Sequence, residues 1–201
     1  MQYQGKIFGL GFHKTGTSSL ASALRKLGYH TIHGDPRGSW SGADEGLTLT
    51  KLIDSGKFQL PTFGLFDAFV DNPYFSIWLK LVDIFPDAKF ILTLRDDTAW
   101  IESCINYYAG RRVRPMRAWM FGTHADPASS REARNIWLDR YRQHNDAVQA
   151  YFSGDNERLL TLNLCEGDGW TRLCNFLRAP RPERPFPHAN KLPAASSEEF
   201  K

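Results

Sequence analysis

Cysteine is scarce in this sequence: Cys104, Cys165 and Cys174 are the whole supply among 201 residues. An odd, scattered trio excludes a disulfide scaffold, and without a CxxC pair it lacks the spacing of a zinc site. A CX5R phosphatase loop is missing too, because six residues separate Cys104 from Arg111 and Cys165 from Arg172. No run of 18 apolar residues occurs, so a membrane-spanning helix is not expected. The opening MQYQGKIFGLGFHK lacks the apolar core of a signal peptide. A reducing, cytoplasmic setting is the expectation these absences leave. Excess charge is also wanting: the net value of +3 gives no global electrostatic case for nucleic acid or a membrane surface. No repeat or low-complexity segment interrupts the chain.

What is present fits one globular domain, expected over residues 1–191, with a flexible tail over 192–201. Hydrophobic residues make up 42% and charged ones 23%, an ordinary balance for a buried core under a hydrated surface. Apolar runs at Lys6–Leu10, Tyr29–His33, Thr62–Phe66, Lys89–Leu94 and Leu159–Leu164 read as strands. Between them, helical periodicity predicts helices over Thr17–Leu27, Ala43–Ser55, Pro73–Phe85, Thr98–Tyr108, Ser129–Phe152 and Asp168–Leu177. In the longest helix Ile136, Trp137, Tyr141, Val148 and Tyr151 are expected to face inward. Strand–helix alternation of this kind implies an α/β three-layer sandwich on a central parallel sheet.

The segment GLGFHKTGTSSL, from Gly9 to Leu20, joins the first strand to the first helix. Gly11 and Gly16 keep the spacing of a triphosphate loop, GxxxxGK[ST], but Thr17 follows Gly16 and the lysine stands earlier, at Lys14. Backbone amides, the free N–H groups and dipole of the following helix, and hydroxyls of Thr15, Thr17, Ser18 and Ser19 suit an anion. Thr17 reads as the N-cap and Gly28 as the stop of that helix. A second feature is Arg95, ending the strongest strand, with Ser103 eight residues later. Together they suit a second phosphate, although a lone arginine there would more often pair with a local acid such as Asp96.

A lysine before GT, followed by an apolar strand ending in arginine with serine eight residues on, resembles the sulfotransferases that use 3′-phosphoadenosine 5′-phosphosulfate. The likeness extends through FDAFVDNPYF, PDAKFILTLRD, GWTRLCNFL and PFPHAN, from Ile7 to about Lys191, and is nearest to a bacterial and lower-eukaryote branch. It implies a P-loop-like fold in which Lys14, Thr15, Gly16, Thr17, Ser18 and Ser19 bind the 5′-phosphosulfate. Arg95 and Ser103 would bind the 3′-phosphate, with Lys191 as a third anchor and Arg181 and Arg184 as rivals. The Arg-Lys-Gly of cytosolic members is missing at that point. Transfer of the sulfuryl group to an acceptor hydroxyl or amine leaves adenosine 3′,5′-bisphosphate. Lys14 would neutralise the bridging oxygen, and no metal is expected, since a sulfuryl group carries less charge than a phosphoryl group.

The acceptor's proton needs a base. Asp67 is expected at the active edge as the end of TFGLF, and it resembles the carboxylate of carbohydrate sulfotransferases, although Ala68 replaces the lysine that follows there. His13, within the loop, and Asp71, before Asn72-Pro73, are the alternatives, with a cap as the plainer role for Asp71. The stretch Gly110–Pro127 reads equally as an amphipathic flap over an apolar acceptor and as a basic loop whose aromatics fill the core edge. Trp40 is a further candidate for the acceptor pocket. A carbohydrate, lipid or other small-molecule acceptor is implied, and no nucleic acid. Two rivals stand beside this reading: a P-loop kinase or hydrolase, and a non-catalytic nucleotide or polyanion binder using Arg111–Arg117.

Overall fold

The first strand, β1 (Ile7–Gly9), is buried on both faces because it lies in the middle of five parallel strands. A computed structural model describes residues 1–34, 61–111, 113 and 115–189. In it β1 is followed by α1 (Thr17–Lys26), β2 (Thr31–His33), β3 (Ala68–Val70), α2 (Trp78–Ile84), β4 (Lys89–Thr93) and α3 (Asp97–Tyr108). Next come α4 (Pro115–Phe121), α5 (Arg131–Tyr151), β5 (Leu159–Leu162) and α6 (Trp170–Leu177). The sheet order is β2-β3-β1-β4-β5, all parallel. The α/β class and the parallel sheet expected from strand–helix alternation are both present.

Alternate residues along each strand serve opposite faces. Phe8 pairs in register with Phe69 and Phe90, and the three rings stack across the strands at centroid distances of 5.1 and 5.7 Å. They found one core, completed by residues of α2, α3, α4 and α5. Ile7, Ala68, Val70 and Ile91 face the other way, onto α1 and α6. The result is a three-layer sandwich.

Helix α1 ends as its sequence predicts. Gly28 is left-handed at φ 91°, its N–H reaches Arg25 O, and Tyr29 N–H reaches back to Leu24 O, the paired bonds of a Schellman stop. Its start differs: Gly16, at φ 98°, takes the cap position and Thr17 is the first helical residue. Asp96 and Ser130 cap α3 and α5 through their side chains.

Three expectations are corrected. Thr62–Phe66 is not a strand: Pro61–Gly64 forms a 3-10 turn, and β3 begins only at Ala68. The aromatic run misled, because Phe63 serves the core from a turn, edge-on to Phe8. The helix expected from Pro73 opens as a 3-10 turn over Tyr74–Ile77. Ile136 and Tyr151 are 36% and 52% exposed; Ala133, Trp137, Tyr141 and Val148 line the buried stripe of α5 instead. Irregular Gly110–Pro127 contains α4, whose Phe121 stacks on Trp137 at 3.8 Å while Met120 is buried. Those side chains fill the core edge. The helix expected over Ala43–Ser55, Trp40, Lys191 and the 192–201 tail lie outside the described residues.

Candidate functional site

The glycine loop leaves β1 at the carboxyl edge of the sheet, where the chain order reverses between β3 and β4. That is the crevice in which parallel sheets bind ligands. Gly11 is required there by proximity rather than by turning. A Cβ on it would lie 1.8 Å from Thr93 Oγ1 and 2.6 Å from Thr93 O. Lys14 (φ 69°) and Gly16 (φ 98°) are both left-handed, the local geometry that gathers amides into an anion nest.

The loop's carbonyls are held by the protein. Leu10 O accepts from His144 Nε2 at 2.8 Å, Phe12 O from Thr15 Oγ1 at 2.6 Å, His13 O from Trp100 Nε1 at 2.9 Å and Lys14 O from Arg95 Nη1 at 3.2 Å. Occupying these oxygens takes out of play the groups that would repel an anion. The first turn of α1 has no side-chain cap, so its amide donors are left for a ligand.

Not every hydroxyl expected to meet the anion is available. Thr15 Oγ1 is buried between Phe12 O and Thr93 Oγ1, 2.6 Å from each. Thr17 Oγ1 donates to Asp71 Oδ2 at 2.9 Å. Thr15 N–H is also engaged, donating to Phe12 O at 3.3 Å; the Thr17 amide remains, with Gly16, the half-buried Ser18, and Ser19, whose Oγ accepts from Ala189 N–H at 3.1 Å. That last bond brings Ala189 to the loop. Arg181 is occupied elsewhere, donating to Thr171 Oγ1 at 3.3 Å, and Arg184 lends its carbonyl to Trp170.

Arg95 stands two residues beyond the end of β4. Tyr141 fixes its backbone, with the hydroxyl accepting from Arg95 N–H at 3.0 Å and donating to Arg95 O at 2.8 Å. Besides the bond to Lys14 O, its guanidinium has a buried Nε without a partner. Ser103 lies on the stretch of α3 that meets the loop. Trp100, three residues earlier, holds His13 O, and Tyr107, four residues later, carries Lys14 Nζ 4.4 Å above its ring. Residues three and four apart share a helix face, so Ser103 belongs to that surface. Arg111 stacks on the same Tyr107 at 4.5 Å and Arg117 on Tyr108 at 4.2 Å.

The base candidates separate by position. Asp67 precedes β3, and its carboxylate accepts from His30 N–H at 3.0 Å, ahead of β2. It therefore sits at the amino edge, the sheet's height away from the loop. The expectation failed because the strand was placed one segment early. His13 is only 9% exposed, boxed by Trp100, Tyr108, Phe121 and Trp137. Burial pushes its pKa down to about 4, with Asp71 opposing and Arg117 and Lys14 adding to the fall. Such an imidazole is a weak base with no open face.

Asp71 is the carboxylate at the right edge. It follows β3, is left-handed at φ 74°, and precedes a cis Asn72-Pro73 bond. Besides Thr17, His33 Nε2 lies 3.2 Å from its Oδ2 and Asn72 N–H donates to Oδ1 at 2.7 Å. Burial alone would raise its pKa; the His33 hydrogen bond and charge, then His13 and the Asn72 amide, outweigh it and hold it below the usual carboxylate value. Asp71 is thus an ionised acceptor tied to the first residue of α1. Sequence reasoning missed His33, although its place at the end of an apolar strand was a usable signal.

Comparison with known proteins identifies the family. Residues 6–194 match the sulfotransferase domain family. The chain is 29% identical over 215 residues to Ava biosynthesis cluster protein M of Aspergillus versicolor, covering 91% of this chain and 80% of that protein. A gluconokinase structure from Sinorhizobium meliloti 1021 aligns over 76% of this chain and 98% of its own, at 14% identity and a TM-score of 0.33. That overlap is too loose to inform shape or activity. Among the described residues no helix is long and apolar enough to cross a membrane. The match over almost the full length decides the matter: this chain belongs to the sulfotransferase domain family, and its chemistry is sulfotransfer.

Proposed function

We propose that the protein moves a sulfuryl group from 3′-phosphoadenosine 5′-phosphosulfate to an acceptor hydroxyl or amine by in-line displacement, without a metal. The observation that carries this reading is the pairing of an uncapped helix start with an arginine, Arg95, that bonds the same loop. Amides of Lys14 and of Gly16 to Ser19 receive the phosphosulfate. Arg95 and Ser103 receive the 3′-phosphate, and Lys191 completes that grip. Lys14 swings from its rest on Tyr107 to the bridging oxygen, where negative charge grows as the sulfur–oxygen bond breaks. The acceptor's proton passes to Asp71.

Two measurements test this. Calorimetry should find adenosine 3′,5′-bisphosphate bound at least about tenfold more tightly than AMP, as one charge-assisted contact would give. Arg95→Ala should erase most of that preference. Equal affinities in the wild-type protein would end the donor assignment. Lys14→Ala should separately reduce the transfer rate by about 10²–10³-fold, the loss seen when one transition-state donor is removed, with nucleotide affinity falling much less. An unchanged rate would remove Lys14 from the chemistry.

A further inference from the structure

Three chain segments converge on Asp71: the end of β2, the exit of β3 and the first turn of α1. Thr17 Oγ1 donates to Asp71 Oδ2 at 2.9 Å. The same oxygen lies 3.2 Å from His33 Nε2, which is also 3.1 Å from Thr17 Oγ1. Because the threonine hydrogen is committed to the carboxylate, the network assigns the histidine proton to Nε2, shared between the two oxygens. Oδ2 is thus saturated from one side. Among the described residues Oδ1 accepts only the adjacent Asn72 N–H at 2.7 Å. The carboxylate is 16% exposed and the imidazole 29%, so both are sheltered yet reachable at the sheet edge. Asp71 also holds a left-handed φ of 74°, a cost of about 1 kcal/mol or more for a residue with a Cβ. Such a backbone persists where surrounding bonds over-determine it, and His33 and Thr17 supply them.

We propose that His33 is a positioning residue for sulfuryl transfer, locking Asp71 Oδ2 together with Thr17 so that Oδ1 faces the acceptor. The inference rests on the transfer reading above. In the step, the acceptor oxygen forms its bond to sulfur as the sulfur–bridging-oxygen bond breaks. The bridging oxygen keeps that electron pair and leaves on adenosine 3′,5′-bisphosphate, while the acceptor's proton goes to Asp71 Oδ1. His33 transfers no atom. It stabilises the ionised carboxylate before the step and, through Thr17, ties its orientation to the residue whose amide opens the donor site. Binding the donor and aiming the base then share one side chain.

Among the described residues, the titratable groups around Asp71 are His33 from β2, His13 from the loop and Tyr108 from α3. The test therefore isolates His33. Release of adenosine 3′,5′-bisphosphate from the donor is followed with water as acceptor, in wild type, His33→Ala, His33→Gln, Asp71→Asn and the double variant His33→Ala/Asp71→Asn. His33→Ala should lower kcat by about 10–100-fold, the smaller part of a general-base effect, with the KM for donor changed less than about threefold. His33→Gln, which keeps an N–H donor, should recover much of the loss. In the Asp71→Asn background His33→Ala should add less than about twofold, since residues acting as one unit are not additive. The carboxyl carbon-13 titration of Asp71 gives a readout without turnover, and its midpoint should rise in His33→Ala. An unchanged midpoint in an active enzyme, or a full His33→Ala loss persisting beside Asp71→Asn, overturns the inference alone. Wild-type protein that binds adenosine 3′,5′-bisphosphate no more tightly than AMP overturns the transfer reading, and the catalytic half of this inference with it.

Discussion

Asp71→Asn is expected to slow sulfuryl transfer by about 10²–10⁴-fold, the span lost when a positioned base is removed. Asp67→Asn should leave kcat within about twofold, as surface changes remote from the reacting atoms do. The contrast follows from which end of β3 each residue occupies. Asp67 bonds His30 N–H ahead of the strand, whereas Asp71 bonds the first residue of α1 beyond it. Asparagine keeps the shape and the Oδ1 acceptor for Asn72 N–H but takes no proton at neutral pH. Donor affinity should change little, because Asp71 meets the donor only through Thr17. Steady-state release of adenosine 3′,5′-bisphosphate separates the two variants. Comparable losses, or a larger loss at Asp67, would place the base at the wrong edge of the sheet.

Stability should fall steeply between about pH 6.5 and pH 4. Burial lowers His13 to about 4, with lesser contributions from its charged neighbours. Burial likewise lowers His144 to about 4, opposed by its bond to Leu10 O and assisted by Arg140. An unfolded chain binds protons at both imidazoles once the pH drops below about 6.5, whereas the folded chain binds them only near 4. Unfolding therefore takes up protons across that window, and stability rises with pH through it. His13 alone is worth about 3 kcal/mol by pH 4, and the half-buried His144 somewhat less. Asp71 acts in the same direction, because its unfolded form also binds a proton more readily than its folded form. Its folded value is depressed, so its contribution is lost only at still lower pH. Denaturation midpoints measured at pH 7.5, 5.5 and 4 test the first window. A flat profile would mean that the folded protein already carries charged imidazoles at both positions.

Much of the fold was legible because periodicity reports which side of an element is buried. KFILTL announced β4, and LASALRKLG announced α1 with its stop at Gly28, since a glycine after the last apolar repeat permits the left-handed turn that closes a helix. The failures share a cause. Phe63, Phe66, Ile136 and Tyr151 are apolar enough to mimic a strand or an inward face, but apolar character alone does not say whether a backbone pairs with a neighbour. Placing TFGLF as the strand moved the strand's end by four residues, from Val70 to Phe66, and carried Asp67 to the wrong edge. Arg95 was placed correctly for the opposite reason: its strand was long and its end unambiguous.

The sequence by itself determined the alternation of elements, the glycine loop between β1 and α1, and the chemistry available there, because these depend on residues close together in the chain. Only the tertiary structure decided which hydroxyls remain for a ligand, which carboxylate faces the loop, and that His33 stands behind it. Those facts depend on three strand ends separated by dozens of residues meeting at one edge. Hydrogen-bond partners and burial across such distances are set by sheet order, and sheet order leaves no local mark on the residues that it joins.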